Sequence, residues 1–214
     1  IYDANTDQLT LKTFDTRDPA YDFSDPRGIK GPTGWYLTSL SHLRIARSHD
    51  GIHFDIDETP ALFPANSYEI YGLEDSRISL INGRYYINYT AVSCFGTATA
   101  LASTEDFTSF QRHGIIFPPD NKDVTIFPEP IQGKYYALHR PSTSGLGHPE
   151  IWMAESPDLI CWGNHRRIMG LREDMWDNER IGGSAVPFRI DQGWLEIYHG
   201  ADMNHRYCLG AVLL

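Results

Sequence analysis

The chain has 214 residues, 41% of them hydrophobic and 13% aromatic, which is enough to bury a core of single-domain size. Its formal charge of −10, with no Lys/Arg-rich run, excludes the clustered basic face that nucleic acids and anionic membranes require. No apolar run approaches the roughly 18 residues of a membrane span, so the expectation is a single domain over residues 1–214 acting on a neutral or small substrate.

The opening stretch IYDANTDQLTLKTF lacks the basic-then-apolar pattern of a secretory signal. A cytoplasmic protein is expected; a signal removed upstream would make it periplasmic or secreted. The first β-rich unit follows, with DPRGIKGPTG running into the aromatic turn GWYL at Gly34 and then into ARSHDGIHF around Ser48. The second reads YGLEDSRISLINGRYYIN, with its turn at Gly83, then ASTEDFTSF around Ser103. The third reads FPEPIQGKYYAL, with its turn at Gly133, then AESPDLICW around Ser156. The fourth reads SAVPFRIDQGWLEIY, turns at Gly193, and stops at YCLGAVLL. Cys94, Cys161 and Cys208 are odd in number and widely spaced, so they form neither a disulfide framework nor a CxxC metal site; they read as buried thiols.

The four turn glycines are spaced by 49, 50 and 60 residues, and the three serine markers by 55 and 53. Short strand-like runs bounded by Gly, Pro, Asn and Asp fill the intervals, with no helical periodicity. A unit of about 50 residues holding some four strands is what one blade of a β-propeller needs. A β-sandwich with coincidentally similar turns is the alternative. The expected fold is an all-β, five-bladed propeller of which the chain covers about four blades, ending inside the fourth, so that a fifth is absent.

The innermost strand of a blade lines the central channel and is expected just before each turn glycine. Asp25-Pro26-Arg27 and Asp75-Ser76-Arg77 then occupy equivalent places in neighbouring units. This recurrence favours Asp25, Arg27, Glu74, Asp75 and Arg77 as channel-facing groups over solvated turns. A carboxyl in a partly dry funnel can hold and deliver a proton, as glycoside cleavage demands. Aromatics near the turns (Trp35, Tyr71, Tyr85, Tyr86, Trp176 and Trp194) are candidates for stacking on sugars, or simply for the core.

The successive motifs GLEDSRISLINGRYYINYTAV, IFPEPIQGKYYALHRPS, IWMAESPDLICWGNHR, RIGGSAVPF, GWLEIYHGAD and YCLGAVLL resemble those of glycoside hydrolase family 130, the β-mannoside phosphorylases and β-mannosidases. The resemblance implies a five-bladed propeller and an inverting reaction on β-mannosides. It implies that Asp75 is the general acid, with Ser76 where the family carries proline, and that its proton passes through a hydroxyl of the bound mannose. It places substrate contacts at Lys122 and Asp123, beside those expected from Glu74, Arg77, Asp25 and Arg27.

The same resemblance implies a phosphate site made of Arg140, Arg180 (where the family has lysine), His199 and Tyr207. Inorganic phosphate is then the co-substrate, and no metal or other cofactor is expected. The leading reading is phosphorolysis of a β-mannosidic linkage in a small oligosaccharide, releasing α-mannose 1-phosphate. A β-mannosidase on the same scaffold is the rival, with Asp177 or Glu179 as candidate base. A non-catalytic sugar-binding propeller is the reading from another class. Neither nucleic acid nor membrane is an expected partner, and self-association is left open.

Overall fold

A computed structural model describes residues 1–142 and 145–214. Among the described residues the chain is all-β apart from one short 3-10 turn, Ser67–Glu69. It divides into two compact units, Ile1–Glu74 with Ala91–Gly96, and Asp75–Thr90 with Thr97–Leu214.

The first unit is built from two-stranded hairpins: β1 (Tyr2–Asp3) with β2 (Gln8–Leu9), β3 (Gly28–Gly31) with β4 (Gly34–Leu37), and β5 (Ala46–Arg47) with β6 (Asp55–Ile56). Tyr2, Leu62, Tyr71, Leu73 and Ala91 are its buried apolar residues among the described positions.

The second unit carries the longer strands. Its first sheet is an antiparallel meander of β7 (Gly72–Ile81, in this unit from Asp75), β8 (Arg84–Ser93, in this unit to Thr90), β9 (Gly96–Thr104, in this unit from Thr97) and β10 (Gln111–Phe117), and its second is the meander β11 (Asn121–Ile126), β12 (Tyr135–Pro141), β13 (Ile151–Ser156) and β14 (Gly163–Met169). In the third sheet β15 (Arg180–Gly183) and β16 (Phe188–Ile190) pair with opposite ends of one side of β17 (Gly193–Ala201), and β18 (Tyr207–Leu213) pairs with its other side. Turn chemistry sets the hairpins. Asn82-Gly83 and Gln132-Gly133 both take positive φ at two successive residues, the conformation whose twist matches that of paired strands.

One core joins the first and second sheets through Ile81, Leu101, Phe117, Val124 and Ile126. Another joins the second and third through Phe127, Leu138, Ile151, Ile181, Trp194 and Tyr198. Tyr86 and Trp176 pack against these cores, so with Trp194 they serve packing.

Three sequence expectations need correction. The serine marker is a pair of side-chain-capped turns: Ser48 and Ser156 accept the amides two and three residues on, and Asp50 and Asp158 repeat the motif. In the middle repeat Thr104 and Asp106, not Ser103, occupy these places. The segment FPEPIQG is not an inner strand; β11 ends at Ile126, before it. The cysteines are not buried thiols: Cys94 and Cys161 are exposed and Cys208 is half-buried, because the first two sit in turns and the third lies on the edge strand β18.

Candidate active site

β7, β11 and β15 each begin their sheets, and each carries site residues near its start. Asp75 on β7 and Asp123 on β11 have φ of 56° and 54°. Aspartate tolerates this left-handed region better than most residues, yet inside a strand it costs about 1–3 kcal/mol and is typical of functional positions. At Asp123 the register of β11 on β12 also shifts between Lys122 and Thr125, a bulge that re-aims the side chain.

Asp75 and Arg77 form one half of the site. Arg77 Nη1 lies 2.6 Å from Asp75 Oδ1 and donates to the Asp75 carbonyl at 2.6 Å. Its other nitrogens reach across to β15: Nη2 donates to the Gly183 carbonyl at 3.0 Å and Nε to the Ser184 carbonyl at 3.3 Å. Arg77 is thus nearly buried while the Asp75 side chain stays 42% exposed, so the carboxyl is held from behind and open in front.

Asp123 anchors the other half. Its carboxylate, 2% exposed, lies 2.6 Å from Arg140 Nη1 and 3.2 Å from His199 Nε2. Burial works to raise its pKa but is outweighed by the His199 hydrogen bond and by the charges of Arg140, His199 and Lys122, which hold it below the ordinary carboxylate value. Lys122 pairs with Arg140 across the β11–β12 ladder, which places the two cations side by side.

The third sheet presents the remaining donors on one face. Arg180 is opposite Ala201, which is opposite Tyr207, and Gly182 is opposite His199 in the next row but one. Paired residues project to the same side of a sheet, so Arg180, Tyr207 and His199 share that face. Arg180 Nη1 donates to the Tyr207 hydroxyl at 3.3 Å, and Arg180 is gripped by its neighbour Glu179 at 2.9 and 2.5 Å, which raises its pKa further. His199 Nδ1 is 3.0 Å from Ser184 Oγ. Ser184 therefore touches both halves: its carbonyl receives Arg77 and its hydroxyl meets His199.

The residues named from sequence fall into four groups: Asp75 with Arg77, Asp123 with Arg140 and His199 beside Lys122, Arg180 with Tyr207, and Asp25 with Arg27. The last pair belongs to the first unit, where the Arg27 guanidinium and amide hold Asp25 down to about 2. Glu74 is an exposed residue at the end of that unit. The two candidate bases are both engaged. Asp177 is fully buried against Arg172 and the Tyr198 hydroxyl, and Glu179 is bound to Arg180.

Sequence reasoning missed Gly182, Gly183, Ser184 and Glu196. A Cβ at Gly182 or Gly183 would meet Asp123 Oδ2 at 2.2 Å or Thr125 Cγ2 at 2.8 Å, so the Ile-Gly-Gly-Ser run is bare where other strands approach. Glu196 had a legible signal. It interrupts the alternation of Trp194 and Tyr198, whose side chains are buried on one face of β17.

Comparison with known proteins gives this geometry a family. The profile of a glycoside hydrolase family described as β-1,4-mannooligosaccharide phosphorylase matches residues 36–214. The chain is 50% identical, over its whole length and 61% of the relative's, to a β-1,2-mannobiose phosphorylase of Listeria innocua. It is 38% identical to a 1,2-β-oligomannan phosphorylase of a Thermoanaerobacter species, over 86% of this chain and 61% of that one. Among solved structures, that of the β-1,2-mannobiose phosphorylase from Listeria innocua, in complex with β-1,2-mannobiose, superimposes with a TM-score of 0.95 over all of this chain and 62% of its own. The chain thus spans about three fifths of the length of these relatives. By its profile match and the order of its motifs, the chain belongs to glycoside hydrolase family 130.

Proposed function

We propose that the protein carrying this chain cleaves β-mannosidic linkages by inverting phosphorolysis and releases α-mannose 1-phosphate, with β-1,2-linked manno-oligosaccharides as the substrate class. The phosphorylase names of its relatives support the reaction, and the 50% identical relative, a β-1,2-mannobiose phosphorylase, supports the linkage. The observation that carries the reading is the chain of contacts that runs from Asp75 through Arg77 and Ser184 to His199, and on through Asp123 to Arg140, with the Arg180–Tyr207 pair on the same sheet face as His199. Such a set of donors suits a phosphate dianion.

In this reading a phosphate oxygen attacks the anomeric carbon from the face opposite the leaving sugar. The glycosidic C–O bond breaks and its electron pair stays on the leaving oxygen. Asp75 supplies the proton that oxygen takes, by way of a mannose hydroxyl. Hydrogen phosphate enters with one proton and leaves as the sugar phosphate dianion without it, and that proton restores Asp75. Arg77 fixes the Asp75 carboxyl, while Lys122 and Asp123 serve as sugar contacts. A hydrolase would need a second carboxylate free to activate water. Both candidates, Asp177 and Glu179, are paired with arginines, as Arg140 and Arg180 are with carboxylates, so the choice of phosphate as nucleophile rests on the phosphorylase names of the relatives.

The same reading takes the sheets as blades of a five-bladed propeller and residues 1–214 as part of one catalytic domain. The family profile supports this, since it runs through both compact units. The deciding experiment supplies β-1,2-mannobiose to the full-length protein with and without inorganic phosphate and identifies the sugar product. Mannose 1-phosphate formed only with phosphate is expected; free mannose released equally fast without it would overturn the reading.

A further inference from the structure

One buried titratable group has no part in that chemistry. Glu196 lies midway along β17 and its side chain is wholly buried, in the file of Trp194 and Tyr198 that packs against Phe127 and Leu138. A carboxyl there must find partners or destabilise the fold. Its Oε1 accepts the Ser184 amide at 3.3 Å, and its Oε2 has no hydrogen-bond partner among the described residues. A Cβ on Gly183 would lie 3.1 Å from Oε1, so the glycine leaves room for the carboxyl to approach β15.

The Ser184 amide is shared with the Ile197 carbonyl at 3.0 Å, its carbonyl takes Arg77 Nε, and its hydroxyl meets His199 Nδ1. Every polar group of Ser184 is therefore committed, and Glu196 is the only side chain among the described residues that holds its amide. We infer that Glu196 is a positioning residue for both halves of the site, fixing Ser184 and through it the approach of Arg77 to Asp75 and the orientation of His199. This rests on the reading that Asp75 is the general acid and that His199 faces phosphate.

The charge state of Glu196 matters to that role. Burial pushes its pKa up to about 8, with the Ser184 amide and the Arg77 charge opposing weakly. The charged and titratable groups nearest it come from several strands; β16 adds Arg189, over the Trp194 ring. β7 supplies Arg77; β11 supplies Asp123, turned towards Gly182 and His199; β17 supplies Tyr198, whose hydroxyl is given to Asp177 beside Arg172. Arg77 is thus the cation that Glu196 and Asp75 share. At neutral pH Glu196 is mostly the uncharged acid and leaves Arg77 to Asp75. Ionised above about pH 8, it adds a second negative charge acting on the guanidinium and weakens the hold of Arg77 on Asp75.

The test compares Glu196→Gln and Glu196→Ala with wild type in the full-length protein. Misplacing catalytic groups from a distance can cost up to about a hundredfold in rate, so E196A is expected to lower kcat at pH 7 by about tenfold. E196Q, which keeps the Oε1 acceptor, is expected to recover most of the loss and to move the alkaline fall in kcat upward by about one pH unit or more. An E196A rate within twofold of wild type, or an E196Q alkaline limb superimposable on wild type, would overturn the role. A second readout does not depend on the reaction: the His199 ring ¹⁵N shifts of wild type should report a titration near pH 8 that is absent in E196Q. If no phosphate-dependent turnover is found, the functional reading fails; if turnover is found but His199 is blind to Glu196, the positioning role fails.

Discussion

Gly182 lies directly against Asp123: a Cβ there would stand 2.2 Å from the Asp123 Oδ2 atom and 2.9 Å from the His199 ring. The bare backbone of β15 is what admits a buried carboxylate between Arg140 and His199. Gly182→Ala should therefore act on the site and on stability together. Overpacking a close-fitted interior costs about 1–3 kcal/mol, because either Asp123 leaves its cations or β15 shifts. Urea denaturation should show that loss, with an apparent phosphate KM raised severalfold. An alanine variant as stable and as avid for phosphate as wild type would mean that the strands yield freely here.

Asp75→Asn tests the acid. Asparagine shares aspartate's tolerance of positive φ, so the backbone at 56° needs no change, and Asp75 is largely open to solvent on its working side. The amide has no proton to supply, and removing general acid catalysis typically lowers turnover by about 10²–10⁴-fold. Sugar binding by calorimetry and the unfolding midpoint should stay close to wild type. Turnover within a few-fold of wild type would remove Asp75 from the mechanism.

Arg140 and Asp123 form the site's most buried ion pair, 9% and 2% exposed, and their contributions are coupled. Arg140→Ala leaves a buried carboxylate short of a cation, which costs about 3–5 kcal/mol, and removes an anion clamp, so phosphate affinity should fall more than mannoside affinity. Asp123→Asn combined with Arg140→Ala should destabilise less than the sum of the single changes, by about 0.5–3 kcal/mol. The pH dependence has a definite sign. A carboxyl held below its ordinary value stabilises the fold above about pH 4, and that contribution is lost as pH falls through the depressed value. Wild type should lose stability in acid more steeply than Asp123→Asn, as chemical denaturation at pH 7 and pH 3 would show; parallel acid limbs would mean the pair is not coupled to folding.

Much of this was legible in the residues. Turn glycines and capped serine turns are local chemistry, so they announced the strand-rich repeats. The motifs around Asp75, Arg140, His199 and Tyr207 carried the family. What stayed hidden depends on strands far apart in sequence. Aligning the repeats on their glycines paired Asp75 with Asp25, whereas the backbone at Asp75 is matched by Asp123. Both occur as Asp-x-x-Ile, in DSRI and DVTI, a signal that the glycine count overrode. The value of Gly182 is set by Asp123 across a sheet boundary, and the emptiness a glycine provides has no pattern of its own. Asp177 and Glu179 looked like free bases because their arginine partners become visible only once Arg172 and Arg180 are folded against them.

Glu196 gives the last expectation, and it is one of stability. Its ordinary value is 4.5 and the fold raises it to about 8. Between those values the folded protein keeps a proton that the unfolded chain has released, so stability falls as pH rises through the window. The slope is at most about 1.4 kcal/mol per pH unit. Below the window both states are protonated, and above it both are ionised, so the curve should flatten at each end. Glu196→Gln fills the same volume without a titrating group. Subtracting the unfolding free energies of the two proteins at pH 5, 6.5 and 8 cancels the other titrating groups and isolates this carboxyl. The variant should gain on wild type steadily across that range, by up to a few kcal/mol at pH 8. A constant difference at all three pH values would show that Glu196 titrates alike in both states, and that its burial among Trp194, Tyr198 and β15 does not hold the proton.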